Sequence, residues 1–233
     1  MPTATYTSRR SELETYFDRT AADAWKKLTS DAPVSKIRAT VRAGRTRMRD
    51  NLLSWLPHDL SGLRILDAGC GTGALSIEAA SRGAHVTAID LSETLVGYAA
   101  GLARELPLKG RIDFRVGDML DPALGEFDHI VCMDSLIHYD SKDIVRVLSQ
   151  LGGRCRTSIN FTYAPRTPAL AAMHAVGKFF PKSDRAPAIQ PVSTSGLRGL
   201  IDAEPSLIGW KTGRSERIKS GFYTSHAQEL HRA

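Results

Sequence analysis

The sequence predicts an α/β fold, a doubly wound sheet of seven strands preceded by a helical N-terminal lid. From Gly62 onward, short apolar segments alternate with helical segments of about 10–15 residues, as in proteins whose crossover helices cover both faces of a parallel sheet. A glycine-rich turn follows the first apolar segment, at the sheet edge where such folds bind ligands. The length of 233 residues suits one such domain with a modest addition.

Composition gives a background for this prediction. Apolar residues make up 42% of the chain and charged residues 24%, which is ordinary for a globular protein. No apolar run reaches about 18 residues, so no transmembrane helix is expected. The N-terminus, MPTATYTSRR, lacks the apolar core of a secretory signal, so we expect a cytoplasmic protein. Cys70, Cys132 and Cys155 show neither zinc-ligand nor redox spacing, and no metal site is predicted.

The net charge is less informative. The formal charge of +6 is concentrated in the segments 26–49 and 214–219. Basic segments of this kind are compatible with a solvated face, an anionic small molecule or membrane surface, or nucleic acid. Charge alone therefore does not decide the function.

The first 57 residues are predicted to form a helical lid, and residues 58–233 the sheet domain. Apolar residues recur at helical spacing in SELETYFDRTAADAWKKL and again in VSKIRATVRAGRTRMRDNLLSWLP. A break at Asp31–Pro33 separates the two segments, and Pro57 ends the second.

The strands follow in order. Five of them are LRILDAG, AHVTAIDLS, RIDFRVGDM, FDHIVCMDSLIHY and CRTSINFTYAP. The proline-rich residues 166–195 are predicted to be an insertion over the active-site edge. The chain then continues with a helix, STSGLRGLIDA, and two strands, LIGWKTGRSERIK and GFYTSHAQEL. A tight turn at Ser220–Gly221 predicts that these last strands form an antiparallel hairpin.

The turn Asp67-Ala-Gly-Cys-Gly-Thr-Gly73 lies between the first strand and the next helix. Gly69 and Gly71 permit backbone angles closed to other residues and let a ligand approach the main chain, while Gly73 permits close packing of helix on strand. A dinucleotide fingerprint would read GxGxxG, but the third glycine falls one residue early for that register. Asp67 would also repel a pyrophosphate. The turn therefore favours a cationic ligand, the sulfonium S-adenosyl-L-methionine.

Two further acids stand at strand ends, and each has a predicted role toward this ligand. Asp90, followed by Leu91, is placed to accept hydrogen bonds from the ribose hydroxyls. Asp118 is placed to accept from the adenine amino group, with Met119 packing on the base. Asp67 would anchor the turn or bind the ligand's amino group through water. Alternatively, these aspartates are helix caps or turn formers, a common fate for Asp.

The series DAGCGTG, ID, GD and CMD resembles the motifs of class I S-adenosylmethionine methyltransferases over about residues 62–160. The resemblance implies a Rossmann-like sheet of seven strands with the last one antiparallel. It also implies S-adenosyl-L-homocysteine as the product and adds Met133 and Asp134 to the cofactor-binding residues.

The end of the fourth strand, Met133 to Tyr139, is expected to face the methyl acceptor. It contains no Asn-Pro-Pro-Tyr sequence, the segment used by enzymes that methylate adenine, so we predict no nucleic-acid substrate. His138 is the predicted catalytic residue, as a general base, a donor that orients the acceptor, or a ligand to a metal of the substrate. Tyr139 is a pocket wall or a core residue.

Several further segments resemble magnesium-protoporphyrin IX O-methyltransferases. These segments are YFDRTAADAWKKL, CMDSLIHY, NFTYAPRTPAL, KFFP and SGFYTSHAQEL, which together span nearly the whole chain. The resemblance implies esterification of one propionate of magnesium-protoporphyrin IX in chlorophyll or bacteriochlorophyll synthesis, with magnesium present only as part of the substrate. Members of the family can carry a tyrosine where this chain has Thr29, so another group would replace that hydroxyl here.

The resemblance and the residues together suggest how the porphyrin is held. The predicted substrate-binding residues are Tyr16, Trp25, Arg38, Arg42 and Tyr139. The aromatic residues of the lid, together with Phe17, would cover the porphyrin ring. The basic residues, together with Lys36 and Arg45, would hold the second propionate. Alternatively, the aromatic residues belong to the core. Magnesium chelatase is the expected protein partner, and peripheral contact with a photosynthetic membrane is a further hypothesis. Two alternative functions stay open: an O-methyltransferase that acts on another small molecule, and a porphyrin carrier that binds the cofactor without catalysis.

Overall fold

The structure, a computed structural model, describes residues 3–20, 22–29, 33–166 and 188–233. Most of the predicted insertion at 166–195 lies outside the described residues, which omit 167–187. Within the described ranges, no helix is long and apolar enough to cross a membrane.

A seven-stranded sheet forms the centre of the molecule. Its strands are β1 (Arg64–Ala68), β2 (His85–Asp90), β3 (Arg111–Val116), β4 (Phe127–Cys132), β5 (Cys155–Tyr163), β6 (Trp210–Ser220) and β7 (Tyr223–Arg232). The strand order is β3-β2-β1-β4-β5-β7-β6, with β1 to β5 parallel and β7 antiparallel to both of its neighbours. The predicted sheet of seven strands with an antiparallel last strand is therefore confirmed.

Helices cover both faces of this sheet. They are α1 (Ala4–Thr15), α2 (Ala22–Thr29), α3 (Lys36–Ser54), α4 (Ala74–Ser81), α5 (Glu93–Arg104), α6 (Ser141–Gly152) and α7 (Thr194–Asp202). Side-chain caps set several of their N-termini: the hydroxyls of Ser35, Ser92 and Ser193 accept from amides one turn into α3, α5 and α7.

Two clusters of buried side chains form the core, and the predicted lid contributes to both. Tyr6 and Leu13 of α1 belong to the cluster that includes Ile130 of β4, whereas Met48 and Leu52 of α3 belong to the cluster that includes Val131. Adjacent residues of a strand point to opposite faces, so α1 and α3 reach different faces of the sheet. The division of the chain at residue 57 stays a prediction.

The structure refines two local predictions. Within the predicted helical segment at residues 11–28, a π-helical segment, Tyr16–Thr20, follows α1 and precedes α2, a detail that the apolar spacing did not indicate. Asp18 of that segment accepts hydrogen bonds from Ser92 Oγ and the Thr94 amide, both at 3.1 Å, so its side chain caps α5 rather than facing solvent. The hairpin turn is one residue later than predicted: Ser220 pairs with Tyr223, which leaves Gly221 and Phe222 as the loop.

Candidate active site

A cleft lies at the carboxyl edge of the parallel strands. Its floor is formed by the turn after β1 and by the ends of β2, β3 and β4, and its roof by the N-terminal helices. Thirteen of the sixteen residues predicted for the site line this cleft: Trp25, Arg42, Asp67, Gly69, Gly71, Asp90, Leu91, Asp118, Met119, Met133, Asp134, His138 and Tyr139.

The glycine turn is shaped by left-handed backbone angles. The φ values are 90° at Gly69, 52° at Gly71 and 78° at Gly73. A Cβ at Gly69 would collide with Ser135, and one at Gly73 would lie 2.9 Å from Ala99 of α5. Gly73 therefore permits close packing behind the turn and does not line the cleft.

The amides of the turn are already used inside the protein. Those of Gly69 and Cys70 donate to the carbonyl of Ile89 at 2.8 and 3.0 Å, and that of Gly71 donates to Asp90 Oδ2 at 2.8 Å. A pyrophosphate needs amides that point at it. The first three amides of the turn are therefore not available as donors to such a group.

The carboxylates of Asp67, which is buried, and Asp90, which is partly buried, flank the turn. Asp67 accepts from Ser76 Oγ at 2.6 Å, and Asp90 accepts from the amides of Gly71 and Ser92. Burial raises the pKa of Asp67 to about 7 and also raises the pKa of Asp90. Within the described residues neither acid forms a salt bridge, so a cationic ligand would stabilise both in their ionised form.

Asp118 is held by the first helix of the lid. Its Oδ1 accepts from Tyr6 Oη at 2.7 Å, and its Oδ2 accepts from Arg10 Nη1 at 2.7 Å. Burial raises the pKa of Tyr6, which keeps its hydroxyl a donor. The Tyr6 ring stacks on Tyr139 with ring centroids 5.0 Å apart, so α1 closes the cleft over Asp118 and Tyr139.

Asp134 connects the lid to the sheet. Arg45 of α3 donates to its Oδ2 at 2.5 Å, Tyr223 Oη donates to its Oδ1 at 3.1 Å, and Ser225 Oγ donates to Oδ1 at 3.3 Å. The residue adopts a φ of 54°, which a non-glycine residue rarely does. Its carboxylate thus joins α3 to β7, whatever further contact it makes with a cofactor.

His138 lies on the wall between the turn and the lid. It ends a short 3-10 helix, Leu136–His138, and its side chain is buried. Its Nδ1 lies 3.4 Å from the carbonyl oxygen of Ala188, and its ring meets the edge of Phe17 with centroids 6.1 Å apart. The imidazole therefore belongs to a cleft that lid aromatics enclose.

The lid residues predicted for the substrate divide into two groups. Trp25 stacks on the Arg45 guanidinium at 4.5 Å from the ring centroid, and its Nε1 is the atom nearest to a Cβ placed on Gly71. Arg42 lines the cleft but donates to the carbonyls of Lys27 and Leu28 at the end of α2. Tyr16 and Arg38 do not line the cleft: Tyr16 packs on Phe17, and Arg38 is exposed.

The sequence did not reveal several residues that build the cleft. Tyr6, Arg10, Thr46, Arg49 and Tyr223 were missed, since nothing in their spacing links them to strand ends about a hundred residues away. The one available signal was the series Arg42, Arg45, Arg49 on α3, which repeats every three to four residues and so lies on one helix face. Among the described residues, no group of three or more His, Cys, Asp or Glu is arranged to bind a metal.

Comparisons with known proteins agree with this geometry. Residues 65–157 match the model of a methyltransferase domain, and residues 132–232 match that of the magnesium-protoporphyrin IX methyltransferase C-terminus. Magnesium-protoporphyrin O-methyltransferase of Rhodobacter capsulatus is 48% identical over 96% of this chain and 97% of its own length. The chloroplastic magnesium protoporphyrin IX methyltransferase of Arabidopsis thaliana is 30% identical over 92% of this chain and 68% of its own length.

Solved structures show the same similarity. The crystal structure of magnesium protoporphyrin IX methyltransferase from Synechocystis PCC 6803 with bound SAH superposes with a TM-score of 0.83 at 28% identity, covering 96% of this chain and 99% of that one. The same enzyme with bound SAM gives a TM-score of 0.79 at 26% identity, covering 97% of each chain.

Proposed function

Because the chain belongs to the magnesium-protoporphyrin IX methyltransferase family, we propose that its cleft holds one propionate carboxylate of magnesium-protoporphyrin IX in line with the methyl group of S-adenosylmethionine, giving the monomethyl ester. The protein is an S-adenosylmethionine-dependent O-methyltransferase of chlorophyll or bacteriochlorophyll synthesis. One observation carries the proposal: a floor that contributes the carboxylates of Asp67, Asp90, Asp118 and Asp134 lies below a roof that contributes Arg42, Arg45 and Arg49.

The residues of the floor fit S-adenosylmethionine, which supplies an electrophilic methyl group on a sulfonium. Gly69 and Gly71 leave a cradle that side chains would otherwise fill, and the carboxylates of Asp67 and Asp90 are suited to a cation. The amides of Gly69, Cys70 and Gly71 donate internally, so they are not available to a phosphate. Asp90 and Asp118 would take the ribose and adenine groups.

The acceptor determines what the protein must do. A propionate carboxylate has a pKa near 4–5 and is already ionised at neutral pH, so the reaction requires no base. The chain contributes by positioning the carboxylate and by removing water around it. Phe17, Trp25 and Tyr139 supply the apolar walls for this task.

His138 is therefore proposed to orient the carboxylate rather than to take a proton. The buried imidazole lies on the cleft wall, where an N–H group would donate to a carboxylate oxygen. His138→Ala should lower kcat about 100-fold and leave the affinity for S-adenosylmethionine unchanged. His138→Gln keeps a donor and should recover part of the activity. An unchanged kcat in His138→Ala would remove this residue from the mechanism.

The second propionate is proposed to bind at Arg49 and Thr46. Arg42 and Arg45 already donate to the carbonyls of α2 and to Asp134. Arg49 also lines the cleft, and its guanidinium contacts only the exposed neighbour Asp50 at 3.3 Å among the described salt bridges. A carboxylate arriving from the substrate would replace this weak surface contact with a better enclosed one.

The test of the function is direct. The purified protein, incubated with S-adenosylmethionine and magnesium-protoporphyrin IX, should form the monomethyl ester and S-adenosylhomocysteine in equal amounts. Metal-free protoporphyrin IX, assayed in parallel, measures how much of the recognition depends on the metal. The absence of any ester with the magnesium porphyrin would refute the proposal.

We also propose that the protein contacts an anionic membrane through the N-terminal end of α3 and the β6–β7 loop. Ile37 and Phe222 are 55% and 56% exposed, and Gly221 packs on Thr40, one turn from Ile37. Cations surround them in sequence: Lys36, Arg38, Arg47 and Lys219. The protein should co-sediment with vesicles rich in anionic lipid, and the pair Ile37→Glu and Phe222→Glu should abolish this. Delivery of the porphyrin by magnesium chelatase stays a prediction.

A further inference from the structure

The hydroxyl of Ser135 is an exception among the polar groups of the cleft. Its Oγ is buried and has no hydrogen-bond partner within the part of the chain that the structure describes. Ser135 follows Asp134, whose left-handed backbone aims the chain back at the glycine turn, and it lines the cleft. Its Oγ lies 3.2 Å from the position that a Cβ of Gly69 would occupy, so the hydroxyl stands directly over that glycine.

Three other serine hydroxyls around the cleft are paired. Ser76 Oγ donates to Asp67 at 2.6 Å, Ser92 Oγ donates to Asp18 at 3.1 Å, and Ser225 Oγ donates to Asp134 at 3.3 Å. Buried hydroxyls normally find a partner, because losing water without a replacement is unfavourable. An unpaired hydroxyl on the wall of a binding cleft is therefore expected to meet a group of the bound molecule.

The position over Gly69 identifies which molecule and which end of it. The amides of Gly69 and Cys70 donate to Ile89, so the backbone offers no donor at this point. A polar ligand group above Gly69 must be held by a side chain, and Ser135 supplies the hydroxyl that faces it. S-adenosylmethionine has one strongly polar end, its ammonium and carboxylate groups, and a hydroxyl can accept from the first or donate to the second.

We propose that Ser135 Oγ hydrogen-bonds the amino-acid end of bound S-adenosylmethionine, which makes Ser135 a positioning residue for the methyl donor. The proposal rests on the cofactor part of the proposed function and is independent of the porphyrin. It predicts a loss of affinity confined to ligands that carry the amino-acid end.

Two ligands and two variants test this. S-adenosylhomocysteine has the amino-acid end, whereas 5′-methylthioadenosine keeps the adenosine and lacks it. Calorimetry on Ser135→Ala should show about tenfold weaker binding of S-adenosylhomocysteine, which corresponds to about 1.4 kcal/mol, and unchanged binding of 5′-methylthioadenosine. The matched control is Ser158→Ala. Ser158 is a buried serine that does not line the cleft, and its Oγ lies 2.8 Å from His129 Nδ1. This variant should bind both ligands like the wild type.

A purely structural role gives different results. Ser135→Ala removes an unpaired group, so the melting temperature of the ligand-free protein should not fall. A fall in that temperature, an equal loss for both ligands, or full affinity for S-adenosylhomocysteine would each overturn the proposal. Wild-type protein that binds S-adenosylhomocysteine but forms no ester would refute the proposed function and leave this inference standing.

Discussion

The glycine turn and the helical lid form opposite walls of the same cleft, and they are built by different means. The turn is held by backbone and by neighbours close in sequence: Ser76 bonds Asp67, and the Gly71 amide bonds Asp90. The lid is held by side chains that meet strand ends about a hundred residues away, Tyr6 and Arg10 at Asp118 and Arg45 at Asp134. The turn is thus shaped by local geometry, and the lid by charged and hydroxyl contacts between distant residues.

The comparison explains why two of the predicted cofactor acids also carry structure. Asp118 accepts from lid residues through both of its oxygens, whereas Asp134 accepts from Arg45 of the lid through one oxygen and from Tyr223 of β7 through the other. Asp67 and Asp90 have no lid partner among the described contacts, so they are the acids whose proposed role toward the cofactor is least mixed with holding the lid. The following variants separate the two kinds of wall.

The largest effect is expected at the lid anchor. Asp134→Asn tolerates the left-handed backbone but leaves Arg45 without its buried counter-charge, so the free energy of unfolding should fall by roughly 3 kcal/mol in urea titrations. The control is Glu126→Gln, which weakens the exposed ion pair with Arg156. It should change the free energy of unfolding by about 0–1 kcal/mol. Equal effects would mean that Arg45 and Asp134 do not anchor the lid.

The next effect is expected in the turn. Gly69→Ala combines strain at a φ of 90° with a collision at Ser135, and should weaken S-adenosylmethionine binding about 100-fold, as measured by calorimetry. Gly62→Ala has a φ of 77° but nothing within 4 Å of the added carbon. It should destabilise the fold by about 1 kcal/mol and leave binding unchanged, because it reproduces the strain without the collision. Normal binding by Gly69→Ala would show that the turn does not shape the cofactor site.

A smaller effect should follow the pH. Burial raises the pKa of Asp67 to about 7, above its unfolded value, so its ionised form destabilises the free protein above pH 7 and this penalty disappears as the pH falls. A bound cation favours the ionised form, so affinity for S-adenosylmethionine should fall about tenfold from pH 8 to pH 6. Asp67→Asn should bind more weakly and without this slope. A slope that persists in the variant would assign the titration to another group.

The smallest effect is expected at the outer edge of the lid. Arg10→Ala removes a partly exposed ion pair with Asp118, so the amide protons of α1 should exchange with solvent about three- to fivefold faster, equivalent to roughly 0.6–1 kcal/mol. Arg9→Ala, which loses only the exposed pair with Glu12, should leave the exchange unchanged. High salt should reduce the difference, since screening weakens a pair at the surface.

The two walls also differ in how far they could be predicted. The alternation of strands and helices, the glycines and the acids at strand ends are short-range patterns, and they led to the sheet, the turn and most of the predicted residues that line the floor of the cleft. The lid was predicted only as helices with aromatic and basic residues. Arg38 is exposed and Tyr16 packs on Phe17, because helical periodicity indicates a face without saying what that face will meet.

The sequence by itself determined the sheet, the place of the cofactor turn and, through its motifs, the family. These features depend on backbone angles and on residues within one or two elements of each other, so they can be recognised from the sequence. Only the tertiary structure decided that Tyr6 and Arg10 close over Asp118, that Arg45 joins Trp25 to Asp134, and that Ser135 stands unpaired over Gly69. Such contacts arise when distant elements pack on both faces of a sheet, and no local pattern encodes which partners they bring together.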